Sequence, residues 1–130
     1  MWKILIVDDV FANRQLLLEI LKDVAHCDMA ANGKEAIEAI NLARQKEPYD
    51  LILLDVSMPE VNGLEFLRIL REHEQEAGIN LGEGTPVIMV TAYKEPFIQA
   101  FKEGCDDYIL KPVDPDKLLT KVHAMLAEKS

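Results

Sequence analysis

Four apolar runs in this chain each stop at a residue equipped for polar chemistry. "KILIVD" (3–8) runs into Asp8 and Asp9, "DLILLD" (50–55) into Asp55, "PVIMVT" (86–91) into Thr91, and "DYILK" (107–111) into Lys111. Taken one at a time, an acid at a strand end is commonly a helix cap, and a lone lysine is commonly solvated. Taken together, three carboxylates, a hydroxyl and an ammonium make a constellation. Two like charges about 4 Å apart repel by roughly 4 kcal/mol at an effective dielectric near 20, so three carboxylates need a compensating charge. A divalent cation supplies it, and magnesium, which favours hard oxygen ligands and keeps several waters, suits a site of few carboxylates and a phosphate. A carboxylate facing such a cation can attack a phosphoryl group, because that transfer chiefly needs alignment and neutralisation of the equatorial oxygens. Asp55, the single acid on its strand, is the natural nucleophile. Lys111 and the Thr91 hydroxyl can each take a phosphoryl oxygen, and the metal a third.

The elements that must position these residues alternate. Beside the four runs, "HCDM" (26–29) is a weaker strand candidate. Between the strands lie stripes at helical spacing: Leu17, Ile20, Leu21 and Val24; Ala36, Ile37 and Ile40; Leu64, Leu67 and Leu70; Ile98 and Phe101; Leu118, Val122 and Met125. The strands are continuously apolar, which predicts a parallel sheet buried on both faces by helices. Five β-α units predict an α/β, three-layer, doubly wound (βα)5 sandwich. Ligands of such sheets bind at the carboxyl ends of the strands, where the five polar residues fall.

Composition excludes several classes. The 130 residues suit a single domain over 1–130, and 49% hydrophobic content predicts a folded globule. A net charge of −9 repels phosphate backbones and anionic membranes, so direct nucleic-acid or membrane binding is not expected. Cys27 and Cys105 sit in no metal-binding or redox spacing and read as reduced thiols. His26, His73 and His123 are scattered, with no catalytic or metal role expected. No signal peptide or membrane-spanning run is evident, and the expected location is cytoplasmic.

The motifs "VDD" (7–9), "DLILLDVSMPEVNG" (50–63), "VIMVTA" (87–92) and "DDYILKP" (106–112), in that order, resemble a response regulator receiver domain of two-component signalling, similar to the chemotaxis receivers. The resemblance covers essentially the whole chain. It implies a flavodoxin-like sheet of order 2-1-3-4-5 and a phosphorylation switch. Asp55 would accept a phosphoryl group from a sensor histidine kinase or a histidine phosphotransfer protein of a phosphorelay. Mg2+ would be held directly by Asp9, through water by Asp8, and by Asp55 and the Ser57 backbone carbonyl. Thr91 and Lys111 would answer the phosphoryl group, and Tyr108 would change rotamer as Thr91 moves. Ser57 and Tyr93 would flank the path of hydrolytic water, with the bulk of Tyr93 lengthening the signal. A receiver is credited with catalysing its own phosphorylation and dephosphorylation, which makes it a switch more than a metabolic enzyme. Pro112 fits a cis Lys-Pro bond aiming Lys111 into the crevice.

The resemblance also implies two partner surfaces. The phosphodonor would dock near the start of the first helix, beside Phe11, Arg14 and Leu17, although Phe11 could equally be core. A downstream protein partner or a phosphorylation-dependent dimer would use the surface of the fourth helix, fifth strand and fifth helix. Phe97 and Phe101 are four apart and share a helical face, and if Ile98 and Ala100 turn to the sheet, at least one Phe must meet water beside Tyr108. Both rings in the core is the alternative on periodicity alone.

Two departures stand out. Asn62 precedes Gly63 where Asp is frequent, a turn position that accepts either. The segment "EHEQEAGINLGEGTP" (72–86) is longer than the usual link and, with Gly78, Gly82 and Gly84, reads as a loop far from Asp55. Three other functions compete with this one. An Asp-nucleophile phosphatase of the dehalogenase type lacks its Asp-x-Asp, since Val56 and Ser57 follow Asp55. A flavin or nucleotide module lacks a glycine-rich loop in "DDVFANR" (8–14). A receiver-like scaffold that binds partners without phosphorylation stays open. A stand-alone receiver and a piece of a longer chain, such as a hybrid kinase, both fit the sequence.

Overall fold

A computed structural model describes residues 1–55, 63–80, 82–92 and 100–127. The strands are β1 (Trp2–Val7), β2 (Ala25–Ala30), β3 (Leu51–Asp55), β4 (Val87–Thr91) and β5 (Asp107–Leu110). The helices are α1 (Phe11–Leu21), α2 (Gly33–Arg44), α3 (Gly63–Glu76), α4, whose described residues are 100–102, and α5 (Pro115–Ala127). All four strand pairings are parallel, and the sheet order is β2-β1-β3-β4-β5.

The continuous apolar runs have a direct structural meaning. Successive side chains of a strand point to opposite faces, so a strand covered on both sides must be apolar throughout. Leu5, Val7, Ile52, Leu54 and Met89 pack with Ala36 and Ile40 of α2 and Phe66, Leu67 and Leu70 of α3. Ile4, Ile6, Leu53, Ile88 and Val90 pack on the other face with Leu17 and Leu21 of α1 and Leu118, Val122 and Leu126 of α5. The sheet thus divides two separate cores.

Helix starts follow their local chemistry. At α2, the Asn32 side chain accepts from the Glu35 N–H at 2.9 Å while Glu35 Oε1 accepts from the Ala31 N–H at 2.8 Å, a reciprocal cap. At α5, Asp114 Oδ1 accepts from the Asp116 N–H at 2.9 Å. At α1 the cap residue is Val10, which has no side-chain acceptor, and Asp8 Oδ1 takes the Val10 N–H instead at 2.9 Å.

The segment 72–86 corrects its sequence reading. Residues 72–76 are the last turns of α3, and the irregular stretch begins only at Ala77. The apolar stripe of α3 stops at Leu70, so the charged turns that follow give no helical signal. What ends the helix is Gly78, whose φ of 84° is open to glycine, with the Ile79 N–H returning to the Glu74 carbonyl at 2.9 Å. Within those turns Glu74 is buried against Arg71. Arg71 Nη1 donates to Glu74 Oε1 at 2.7 Å and to the Thr85 carbonyl at 2.9 Å, and Nη2 donates to the Gly104 carbonyl at 2.7 Å. Glu74 Oε2 accepts from the Thr85 N–H at 2.8 Å. Gly84 and Gly104 lie so close to this pair that a Cβ at either would collide with the Glu74 carboxylate or the Arg71 side chain.

Both cysteines are free thiols. Burial is the main cause that pushes each up to about 11, and the nearby Asp28 adds to the effect at Cys27. Because the thiolate is the reactive form, only about one molecule in a thousand is reactive at pH 8. Alkylation by iodoacetamide in the folded protein is therefore expected to quicken about tenfold per pH unit between pH 8 and 10. Half-buried Cys27 should react before buried Cys105. Labelling followed by mass spectrometry checks the order and the slope; a flat profile refutes the assignment.

Candidate functional site

The parallel sheet brings its strand ends to one edge, and the polar residues gather there. Asp8 follows β1, its N–H continuing the ladder to the Ala30 carbonyl at 3.1 Å. Asp55 closes β3 and Thr91 closes β4, and the Lys111 N–H, just beyond β5, donates to the Thr91 carbonyl at 2.7 Å. Asp8, Asp9 and Asp55 each offer an oxygen within 4.8 Å of the others. Asp8 and Asp55 are 1% and 3% exposed, and Thr91 is buried, while Asp9 faces solvent. Lys111 Nζ lies 3.5 Å from Asp55 Oδ1, and the Lys111–Pro112 bond is cis.

Asp8 is both a cap and a site residue. Its Oδ1 is taken by the Val10 N–H, but its buried Oδ2 finds no hydrogen-bond donor among the described residues. Burial pushes the Asp8 carboxyl above its ordinary value, the Val10 N–H opposes this, and the negative Asp55 beside it adds to the rise. Lys111 and the side-chain amide of Asn13 act in the opposite sense. An orphaned carboxylate oxygen buried among like charges is what a hard divalent cation satisfies, so this donor set fits magnesium.

Of the remaining residues expected from sequence, Tyr108 on β5 is half-buried against the α2–α3 core, with Lys121 Nζ 5.7 Å from its ring centre. Lys121 also pairs with Asp107 at 3.0 Å. Ala100 is buried and Phe101 is 63% exposed, which settles the periodicity question for Phe101 in favour of solvent. Phe11 is 65% exposed and is not core, whereas Leu17 is buried in the α1–α5 core and is no part of a surface. Arg14 lies with its guanidinium carbon 5.6 Å from the Phe11 ring centre. Ser57, Tyr93 and Phe97 lie outside the described residues. Asn13 and the Arg14 contact with Asp8 escaped sequence reasoning; the faint signal was their place one turn into the helix after the two acids.

A doubly wound sheet with three carboxylates, a threonine and a lysine at its carboxyl edge defines the receiver class of signalling domain. The chain matches the response regulator receiver domain family over residues 4–123 and belongs to it. It is 41% identical to the transcriptional regulatory protein ResD of Bacillus subtilis over 98% of this chain and 49% of ResD. It is 39% identical to SrrA of Staphylococcus aureus over 95% of this chain and 47% of that protein. The chain therefore spans about half the length of these curated relatives. Among solved structures it superposes on the chemotaxis response regulator CheY4 of Vibrio cholerae with a TM-score of 0.80 and 31% identity, over 97% of this chain and 99% of that one. Among the described residues, no helix is long and apolar enough to cross a membrane.

Proposed function

We propose that this chain is a phosphorylation-dependent signalling switch whose Asp55 accepts a phosphoryl group from a histidine kinase or phosphotransfer protein. What carries the reading is the convergence of Asp8, Asp9 and Asp55 at one sheet edge, with Lys111 3.5 Å from Asp55 and Thr91 at the adjoining strand end. An Asp55 oxygen attacks phosphorus, the phosphorus–nitrogen bond of the donor histidine breaks, and the imidazole leaves with its electron pair and takes up a proton. Asp8, Asp9, Asp55 and the Ser57 carbonyl would hold Mg2+, which when bound supplies charge neutralisation at the phosphoryl oxygens. Lys111 and Thr91 take the oxygens left over, and Ser57 and Tyr93 govern the approach of hydrolytic water. The chain would act as one receiver domain in the cytoplasm.

The test is incubation with acetyl phosphate and Mg2+, followed by intact mass spectrometry. One added phosphoryl group, lost when EDTA is present, is the expected result. No uptake at any magnesium concentration favours the phosphorylation-free scaffold.

Output is assigned to α4, β5 and α5. Phosphorylation adds about two negative charges at Asp55, drawing Thr91 and Lys111 inward and letting Tyr108 turn into the space vacated. Exposed Phe101 lies on this surface, and such apolar exposure suits protein contact. Phe101→Ala is expected to weaken partner or dimer binding roughly tenfold, as for a buried aromatic anchor, with unchanged phosphorylation. Binding and labelling measured on one preparation check it, and undiminished binding rejects the surface. With a net charge of −9, any effect on transcription would pass through another domain or protein rather than direct DNA contact by these residues.

A further inference from the structure

Asp8 is held at every polar atom but one. Its N–H is bound by the Ala30 carbonyl, its Oδ1 by the Val10 N–H, and its carbonyl oxygen by Arg14 Nη1 at 2.8 Å. The last contact takes the place of a strand partner, because the pairing of β1 with β2 stops at Val7 and Ala30. The Arg14 N–H donates to the Val10 carbonyl at 3.1 Å, which sets the first turn of α1 directly after the two acids and brings the side chain back to them. The guanidinium then reaches back six residues, braced by the Phe11 ring. Among the described residues, buried Asp8 Oδ2 alone is left without a partner, on a carboxylate that offers an oxygen within 4.8 Å of Asp9 and Asp55.

We propose that Arg14 is a positioning residue for the divalent cation: its hydrogen bond to the Asp8 carbonyl fixes the turn between β1 and α1 so that the Asp8 and Asp9 carboxylates converge on Asp55 before the ion arrives. The inference rests on the magnesium reading given above. It alters what is expected of Arg14, which the sequence assigns to donor docking alone. A docking residue affects transfer from a protein donor and leaves acetyl phosphate untouched; a residue that shapes the metal turn affects both. Partners that orient metal ligands typically account for about 10–100-fold in metal affinity.

Charge and position predict opposite signs. Removing a cation near an acidic cluster should tighten binding of a second cation, whereas loosening the turn should weaken it. The experiment is calorimetric titration of the full chain with MgCl2 alone, comparing wild type, Arg14→Met and Arg14→Lys. Arg14→Met keeps the stem over Phe11 and loses the donor; it is expected to bind Mg2+ at least about tenfold more weakly. Arg14→Lys, which keeps one donor, should fall between Arg14→Met and wild type. In the acetyl phosphate reaction the Met variant should need more magnesium for half-maximal rate yet reach the same rate at saturation. Equal or tighter Mg2+ binding by Arg14→Met overturns the proposal, as does Arg14→Lys binding no better than Met. Absence of Mg2+ binding by the wild type overturns the magnesium reading and this inference together, whereas wild-type binding unaffected by either variant overturns this inference alone. Thermal melts without metal identify a variant that fails to fold, in which case the Lys variant against wild type decides.

Discussion

Asp55→Asn is expected to take up no phosphoryl group from acetyl phosphate, its labelling falling to background while the fold persists. The amide lacks the anionic oxygen that must attack phosphorus. Neither neighbouring acid is placed to substitute for it. Asp8 has one oxygen committed to the Val10 N–H and its backbone fixed on both sides, and Asp9 faces solvent, whereas the Lys111 ammonium lies 3.5 Å from Asp55. Asn fills the same volume, so the surrounding β3 and β4 packing should be preserved. Intact mass spectrometry of the variant under conditions that label the wild type checks the assignment. Persistent label would move the nucleophile elsewhere.

Arg71→Met is expected to cost about 3–5 kcal/mol of stability, the range seen when one member of a buried ion pair is removed. The Glu74 side chain is only 4% exposed and loses its counter-charge, while the Gly104 and Thr85 carbonyls lose donors. Those bonds join three segments distant in sequence: the end of α3, the stretch entering β4 and the turn before β5. The double variant Arg71→Met, Glu74→Met should recover much of the loss, because two apolar side chains leave no charge stranded. Urea unfolding of the wild type, both single variants and the double variant closes the cycle. A loss below about 1 kcal/mol would class the pair with exposed surface bridges. Labelling of the folded Arg71→Met protein should be normal, since this network lies at the amino end of β4, opposite Asp55.

The sheet was legible because burial on two faces leaves an unmistakable trace, an apolar run ended by a polar residue. The site was legible for the same reason: each run's last residue is the one at the edge. Strand order was available only through family resemblance, since apolar runs carry no information about which strand neighbours which. The final turns of α3 were hidden because Arg71 and Glu74 bury charge against charge, and a hydrophobic pattern cannot register that. Leu17 kept its place in the helical stripe, which outweighed its nearness in sequence to the acids. Phe101 could not be settled by spacing; the small Ala100 beside it takes the inward position. The clasp from Arg14 to Asp8 depends on where a long side chain folds back over a turn, which residue spacing does not encode.

The division of the interior by the sheet has a consequence for how sequence change can be tolerated. Leu5 and Ile6 are covalent neighbours, yet Leu5 belongs with α2 and α3, and Ile6 with α1 and α5. A change of volume at Leu5 finds its compensation among residues such as Ile40 or Leu70, and one at Ile6 among residues such as Leu17 or Leu118. Adjacent positions can thus change volume independently, while Ile6 and Leu118, far apart along the chain, share one core and are coupled through its volume.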